Sequence, residues 1–321
     1  MTDSRPSARP LAGAIFSLVL ALAWLAVPVW VGLTRAGALL AGHPAYPVLL
    51  VSAAAVGVLL LVRGVRALRR PAPVRPGPAW RTVLGRSGAV LATLLVVGTL
   101  GYLIPLPATR TAVDAMAGTE GVTVTDATTT ITLTPTSAPP TTGFIFQPGA
   151  KVDPRAYVPL LTKVSEQGSL VVIVKQPLNI GFTATGAPEG IIEDHPEITS
   201  WSVGGHSLGG VAASSFAQRP DAVDGLVFWA SYPLGSLAGR EDLTVTSVSG
   251  TRDGLSTPMD IDASRADLPS TATFVAVEGA VHAFFGDYGE QSGDGTPTVS
   301  REVAQGEIVA ATVDALARTA P

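Results

Sequence analysis

The sequence predicts an α/β fold, a mainly parallel sheet covered by helices on both faces, preceded by an all-α region of three membrane spans. Three observations predict it. Three long apolar runs fill the first third of the 321 residues, with no acid between them. Downstream, short β-branched runs alternate with helical patterns, the signature of a parallel sheet with crossover helices. Between two of these elements lies Val203-Gly-Gly-His-Ser-Leu-Gly-Gly210, an apolar run turning sharply into a small-residue helix.

The apolar runs cover residues 11–34, 46–62 and 88–105. Each is close to the ~20 residues a helix needs to cross ~30 Å of hydrocarbon. The alternative for the first is a cleaved signal peptide with Arg5 and Arg9 as its basic region, against which stand the length of the apolar core and the two runs that follow. Arginine sets the orientation. Arg63, Arg66, Arg69, Arg70, Arg75, Arg81 and Arg86 lie between the second and third runs, Arg5 and Arg9 precede the first, and Arg35 alone lies between the first and second. Cytoplasmic loops carry the excess of basic residues, so the N-terminus and second loop are expected inside and the remainder of the chain outside.

Charge divides the chain the same way. Residues 1–110 hold 11 arginines and one acid; residues 111–321 hold 10 Lys/Arg and 24 Asp/Glu. An acidic back half lacks the clustered basic residues that phosphate contacts need, so nucleic acid is not expected as a partner. The absence of cysteine excludes disulfides, thiolate catalysis and Cys-ligated zinc.

Three regions are expected: a membrane region 1–106, a Thr/Pro-rich linker 107–142 with room for first edge strands at Val122–Val124 and Ile131–Leu133, and an α/β domain 143–321. In that domain, strands are expected at 144–146, 170–174, 198–203, 225–230, 243–249 and 272–277. Helices are expected at 154–167, 189–197, 209–218 and 301–317.

Gly205-x-Ser207-x-Gly209 has the spacing of a nucleophile elbow. A turn this tight leaves no room for a Cβ two residues to either side of the serine, and Ser207 must sit in a strained conformation that lifts its Oγ clear. The following helix points its N-terminus at the site, so the N–H of Leu208 can face a developing oxyanion. A serine needs a base. Of the four histidines, His43 sits between spans, His195 lies before the elbow, and His206 must point away from its neighbour Ser207. His282 follows the last strand directly and is the expected base. The acid should follow the preceding strand, and Asp253 is the first there, with Asp260 and Asp262 as alternatives. In an α/β sheet such residues meet at the carboxyl ends of the strands. The second oxyanion donor is expected after strand 144–146, where Gly149 permits close approach, from the N–H of Ala150, with Lys151 as the alternative. No cofactor and no metal are expected; the loop from Asp287 to Asp294 is acidic but lacks calcium-loop spacing and reads as the rim of the site.

From Gly143 onward the sequence resembles the α/β-hydrolase superfamily, in particular small carboxylesterases and dienelactone-hydrolase-like proteins. Four stretches carry the resemblance: Gln147-Pro-Gly-Ala-Lys-Val-Asp153, Gly205-His-Ser-Leu-Gly-Gly210, Gly250-Thr-Arg-Asp-Gly254 and His282-Ala-Phe-Phe-Gly-Asp-Tyr-Gly289. The resemblance implies an α/β-hydrolase fold and a Ser207, Asp253, His282 triad in that chain order. Two departures stand out. Pro148-Gly149 replaces the usual His-Gly, and dienelactone hydrolases use a cysteine nucleophile where this chain has serine. Only Tyr232 to Asp242 is available where many lipases insert a lid, so no large lid and an open site are expected. The expected activity is ester cleavage through an acyl-enzyme, on a small-molecule ester or acyl substrate, by a multi-pass membrane protein. The alternatives are a cell-envelope acyltransferase using the same triad and a non-catalytic membrane-anchored binding module.

Overall fold

The computed structural model describes residues 8–70 and 78–320. Arg5 and Arg75, counted above for orientation, lie outside the described residues. The chain divides into two units, residues 1–39 with 44–104, and residues 40–43 with 105–321.

The first unit is helical: α1 (Ala8–Thr34), a single short α2 (Ala36–Ala41), α3 (Ala45–Arg69) and α4 (Ala79–Tyr102). Three of these are long and apolar enough to span a membrane. Small residues let the backbones approach: a Cβ at Gly57 would strike Leu25, and one at Gly64 would strike Leu18. Two polar contacts join the long helices, Trp24 Nε1 to Thr93 Oγ1 at 2.9 Å and Tyr46 Oη to the Leu100 carbonyl at 2.8 Å. Outward-facing Val19, Leu22, Leu33, Leu59, Leu91 and Leu95 stay exposed, which suits a surface solvated by lipid.

The helices outrun the apolar runs. The second continues through Arg63, Arg66 and Arg69, and the third starts at Ala79, taking in Arg81 and Arg86, and stops at Tyr102 rather than 105. Arginine is a good helix former, so the end of an apolar run marks the edge of hydrocarbon and not the end of the helix.

The second unit opens with a short α5 (Arg110–Asp114) and then eight strands: β1 (Val122–Asp126), β2 (Thr130–Pro135), β3 (Thr142–Gln147), β4 (Leu170–Val174), β5 (Ser200–His206), β6 (Gly225–Trp229), β7 (Thr244–Gly250) and β8 (Thr273–Val277). The helices between and after them are α6 (Val158–Ser165), α7 (Ala187–Asp194), α8 (Leu208–Ala217), α9 (Pro258–Ala263) and α10 (Arg301–Ala317). They form one sheet in the order β1-β2-β4-β3-β5-β6-β7-β8. The β1–β2 and β2–β4 pairs are antiparallel, and every pair from β4–β3 to β7–β8 is parallel. The Thr-rich stretch 107–142 thus supplies a helix and the first two strands. Alternation there is clean: in β2, Ile131 and Leu133 are buried while the threonines between them are partly exposed.

Successive side chains of a strand face opposite layers. Phe144 and Phe146 join Tyr157, Leu160, Trp229, Ile308 and Leu316 beneath α6 and α10. Ile145, between them, joins Val172, Val203, Phe216 and Phe228 on the α7 and α8 side. Central strands are therefore buried on both faces and read as continuous apolar runs. The helical pattern at 154–167 becomes a 3₁₀ turn (Pro154–Tyr157) followed by α6. α9, unanticipated, begins with a capping box in which Thr257 and Asp260 satisfy each other's backbone N–H.

Candidate active site

Strand β5 enters the site from the middle of the sheet and ends at His206. Ser207 has φ 52°, ψ −126°, a left-handed conformation that a serine holds only under the constraint of its surroundings. The constraint is close packing by glycine. A Cβ at Gly205 would meet the Gln147 carbonyl and lie 2.6 Å from the Gly209 carbonyl carbon. One at Gly209 would meet the carbonyls of Gln147 and Pro148, and one at Gly210 would lie 2.6 Å from Ser231 Oγ. Ser231 Oγ donates to the Ser207 carbonyl at 2.6 Å, and Ser207 N–H donates to the Trp229 carbonyl at 2.9 Å. The elbow is thus clasped between the ends of β3 and β6.

His282 begins a short 3₁₀ turn (His282–Phe285) after β8, and Asp253 follows β7. His282 Nδ1 lies 2.8 Å from Asp253 Oδ2. A carboxylate can only accept, so Nδ1 donates and the Nε2 lone pair is left for a proton. Both residues are buried, at 1% and 4% exposure. The other carboxylate oxygen, Asp253 Oδ1, accepts from Leu255 N–H and Ser256 N–H, each at 2.8 Å, which fixes its orientation. His282 Nε2 is buried and makes no hydrogen bond; its bond to Ser207 Oγ is not formed in this structure. Such bonds are often long before substrate arrives.

Asp260, Asp262 and His195 are engaged elsewhere. Asp260 Oδ2 caps α9 through Thr257 N–H at 2.9 Å, and Asp262 pairs with Arg265 at the surface. His195 pairs with Glu197 at 3.0 Å.

In the turn after β3, Gly149 N–H donates to Tyr157 Oη at 2.9 Å and Lys151 N–H donates to the Asn179 carbonyl at 2.7 Å. Ala150 N–H and Leu208 N–H have no protein acceptor among the described residues. The close approach of Gly209 to the Gln147 and Pro148 carbonyls brings this turn against the start of α8.

In sequence Tyr157 is one apolar residue of a helical stripe; the structure gives it a second part in the site. The residue is fully buried, accepts from Gly149, and lies 2.9 Å from His206 Nδ1. Burial raises the Tyr157 phenol far above its ordinary value and pushes His206, which also lies beside His282, well below 6.5. Tyr157 is therefore a phenol and His206 a neutral imidazole, with the Tyr157 O–H donating to His206 Nδ1. The His206 ring centroid is 4.4 Å from that of His282 and stacks on Phe285 at 5.9 Å. A Cβ on Gly149 would lie 2.7 Å from His206 Nδ1, so this glycine is required by the same contact.

Phe285 and Trp229 are core residues, while Phe284 lines a cavity of about 410 Å³ with Ala283, Gln291, Asp294 and Arg301. Between β6 and β7, residues 230–243 form no helix, so no large lid stands there.

Residues 143–306 match a family model described as the alpha/beta hydrolase family, just over half of the chain. No curated protein matches. Among solved structures, a monoacylglycerol lipase from Paleococcus ferrophilus is similar at 16% identity and a TM-score of 0.41, over 54% of this chain and 94% of its own. A dienelactone hydrolase-like promiscuous phosphotriesterase from metagenomic libraries is similar at 15% identity and a TM-score of 0.44, over 61% of this chain and 95% of its own.

Proposed function

This chain belongs to the α/β-hydrolase family, and we propose that it is a membrane-anchored serine esterase. The observation that carries the reading is the buried Asp253–His282 pair, with His282 Nε2 unpartnered, on loops at the same sheet edge as the strained Ser207.

In the proposed reaction His282 Nε2 takes the proton of Ser207 Oγ as the oxygen attacks the ester carbonyl. Asp253 keeps the proton on Nδ1 and stabilises the imidazolium that forms. The N–H groups of Leu208 and Ala150 hold the oxyanion; the α8 N-terminus adds its dipole to the first of these. His282 then protonates the leaving alcohol, and the acyl group on Ser207 passes to water by the same steps in reverse order of roles. The short 230–243 connection leaves the site open to a small-molecule ester or acyl compound.

The helices α1, α3 and α4 anchor the enzyme in a membrane. The arginines in the last turns of α3, in the connection after it and in the first turns of α4, set against the acidic remainder, support a cytoplasmic N-terminus and an extracytoplasmic catalytic unit.

Turnover of short-chain aryl esters by the full-length protein in detergent tests the reading. Ser207→Ala and His282→Ala are expected to abolish turnover, and Asp253→Asn to lower kcat by about 10⁴ through the wrong tautomer. Unchanged turnover in Ser207→Ala would refute it.

A further inference from the structure

The acidic loop between Asp287 and Asp294 is not used by the chemistry above, and its closing residue has an unusual set of partners. Asp294 Oδ1 accepts from His282 N–H at 3.0 Å, Gly254 N–H at 3.2 Å and Gly295 N–H at 2.7 Å, and Asp294 Oδ2 accepts from Ala283 N–H at 2.8 Å. Gly254 follows the candidate acid Asp253; His282 and Ala283 are the candidate base and its successor. One carboxylate therefore holds the backbones of both loops.

Close packing supports the same conclusion independently. A Cβ on Gly254 would lie 2.7 Å from the Gly293 carbonyl and 2.8 Å from Gly295 N, and one on Gly295 would meet the Arg252 carbonyl. Gly293 itself has φ 87°. The segment 293–295 lies directly on the turn 252–254, with glycine at each point where a side chain would separate them.

Resting on the serine-esterase reading, we propose that Asp294 is a positioning residue for the Asp253–His282 pair. It touches neither the substrate nor the reacting atoms. It sets the separation of the two loops, so that Asp253 Oδ2 meets His282 Nδ1 and Nε2 is presented toward Ser207. Backbone N–H groups bonded to a carboxylate make charge-assisted contacts, and three of them, one from the Asp253 loop and two from the His282 loop, converge on this one side chain and leave the loops little freedom to drift. The calcium-like look of the loop has this explanation: its closing acid takes backbone N–H groups as partners.

The test uses the full-length protein in detergent, with Ser207→Ala as control and Asp294→Asn and Asp294→Ala as variants. Aryl-ester kinetics, fluorophosphonate labelling rates and thermal melting are measured for each. A displacement of about 1 Å at a reacting centre lowers rates by about 10². Asp294→Ala is expected to lose kcat and labelling rate on that scale with KM unchanged. Asp294→Asn keeps the shape and one acceptor oxygen, and is expected to melt like wild type, with a kcat between the two. A labelled wild type and unlabelled Ser207→Ala, with Asp294→Ala as fast as wild type, would overturn the proposal while leaving the esterase reading intact. Loss of folding in both variants would overturn it too, since the carboxylate would then serve the fold rather than the alignment. No labelling of wild type would instead refute the serine-esterase reading on which it rests.

Discussion

At the scale of residues, the site is a set of contacts in which one atom's partner decides another atom's role. Gly149 N–H is occupied by Tyr157 Oη, and Lys151 N–H by Asn179; this leaves Ala150 N–H as the donor of its turn. Tyr157→Phe is expected to leave Gly149 N–H and His206 Nδ1 buried without partners, lowering stability by about 1–3 kcal/mol and slowing acylation, both measurable by melting and labelling rate. His206 makes a pH prediction. Its imidazole is held neutral in the fold, with its value depressed by burial. Above about 6.5 neither the folded nor the unfolded state protonates it, so it adds no pH dependence there. Below that value the unfolded chain gains a proton that the folded one refuses, and stability falls as pH drops toward the depressed folded value. Melting of wild type is expected to decline more steeply below pH ~6.5 than melting of His206→Gln. Parallel curves would contradict this. The positions of Ser207, Asp253 and His282 after the ends of β5, β7 and β8 were legible in sequence because spacing and strand pattern mark them. Tyr157 and Asp294 were not, since their roles depend on backbone N–H groups brought to them by distant segments.

At the scale of elements, β3, β4 and β6 were legible because burial on both faces produces short continuous apolar runs; β8, a partly exposed edge strand, was marked instead by its β-branched and aromatic residues, and a long amphipathic pattern marked α10. The boundaries of α3 and α4 were not, because composition reports hydrocarbon and hydrogen bonding reports helix. α9 is short and acidic, yet Thr257-Pro258-x-Asp260 carried a start signal. The elbow makes a prediction of its own. Gly209→Ala would press a methyl group into the Gln147 and Pro148 carbonyls. Backbone cannot yield there as a side chain end would, so a destabilisation of about 1–3 kcal/mol and a loss of activity beyond it are expected. A second concerns residues 105–109. Leu106 pairs with the backbone of Lys151 and Asp153, Ala108 N–H reaches Asp153 Oδ2 at 3.3 Å, and Thr109 N–H donates to the Asp287 carbonyl at 2.7 Å. These bonds tie the start of the unit to the residues after the Ala150 turn and to the loop after His282. A fragment beginning at residue 112 is expected to melt lower and turn over ester more slowly than one beginning at 105.

At the scale of the whole molecule, a basic apolar front and an acidic α/β unit are joined in one chain. The absence of cysteine lets single introduced thiols report topology. With a membrane-impermeant maleimide on intact cells, exposed Met259→Cys in the catalytic unit is expected to label and Arg70→Cys at the end of α3 is not; the reverse pattern would invert the proposed orientation. The central claim, that this unit is a serine hydrolase acting through Ser207, is tested most directly by reacting the full-length protein with a fluorophosphonate and mapping the adduct by peptide mass. The account predicts one phosphonyl group on the peptide carrying Ser207, lost in Ser207→Ala. A folded wild-type protein that takes up no phosphonyl group, or takes it up at another serine, would contradict it.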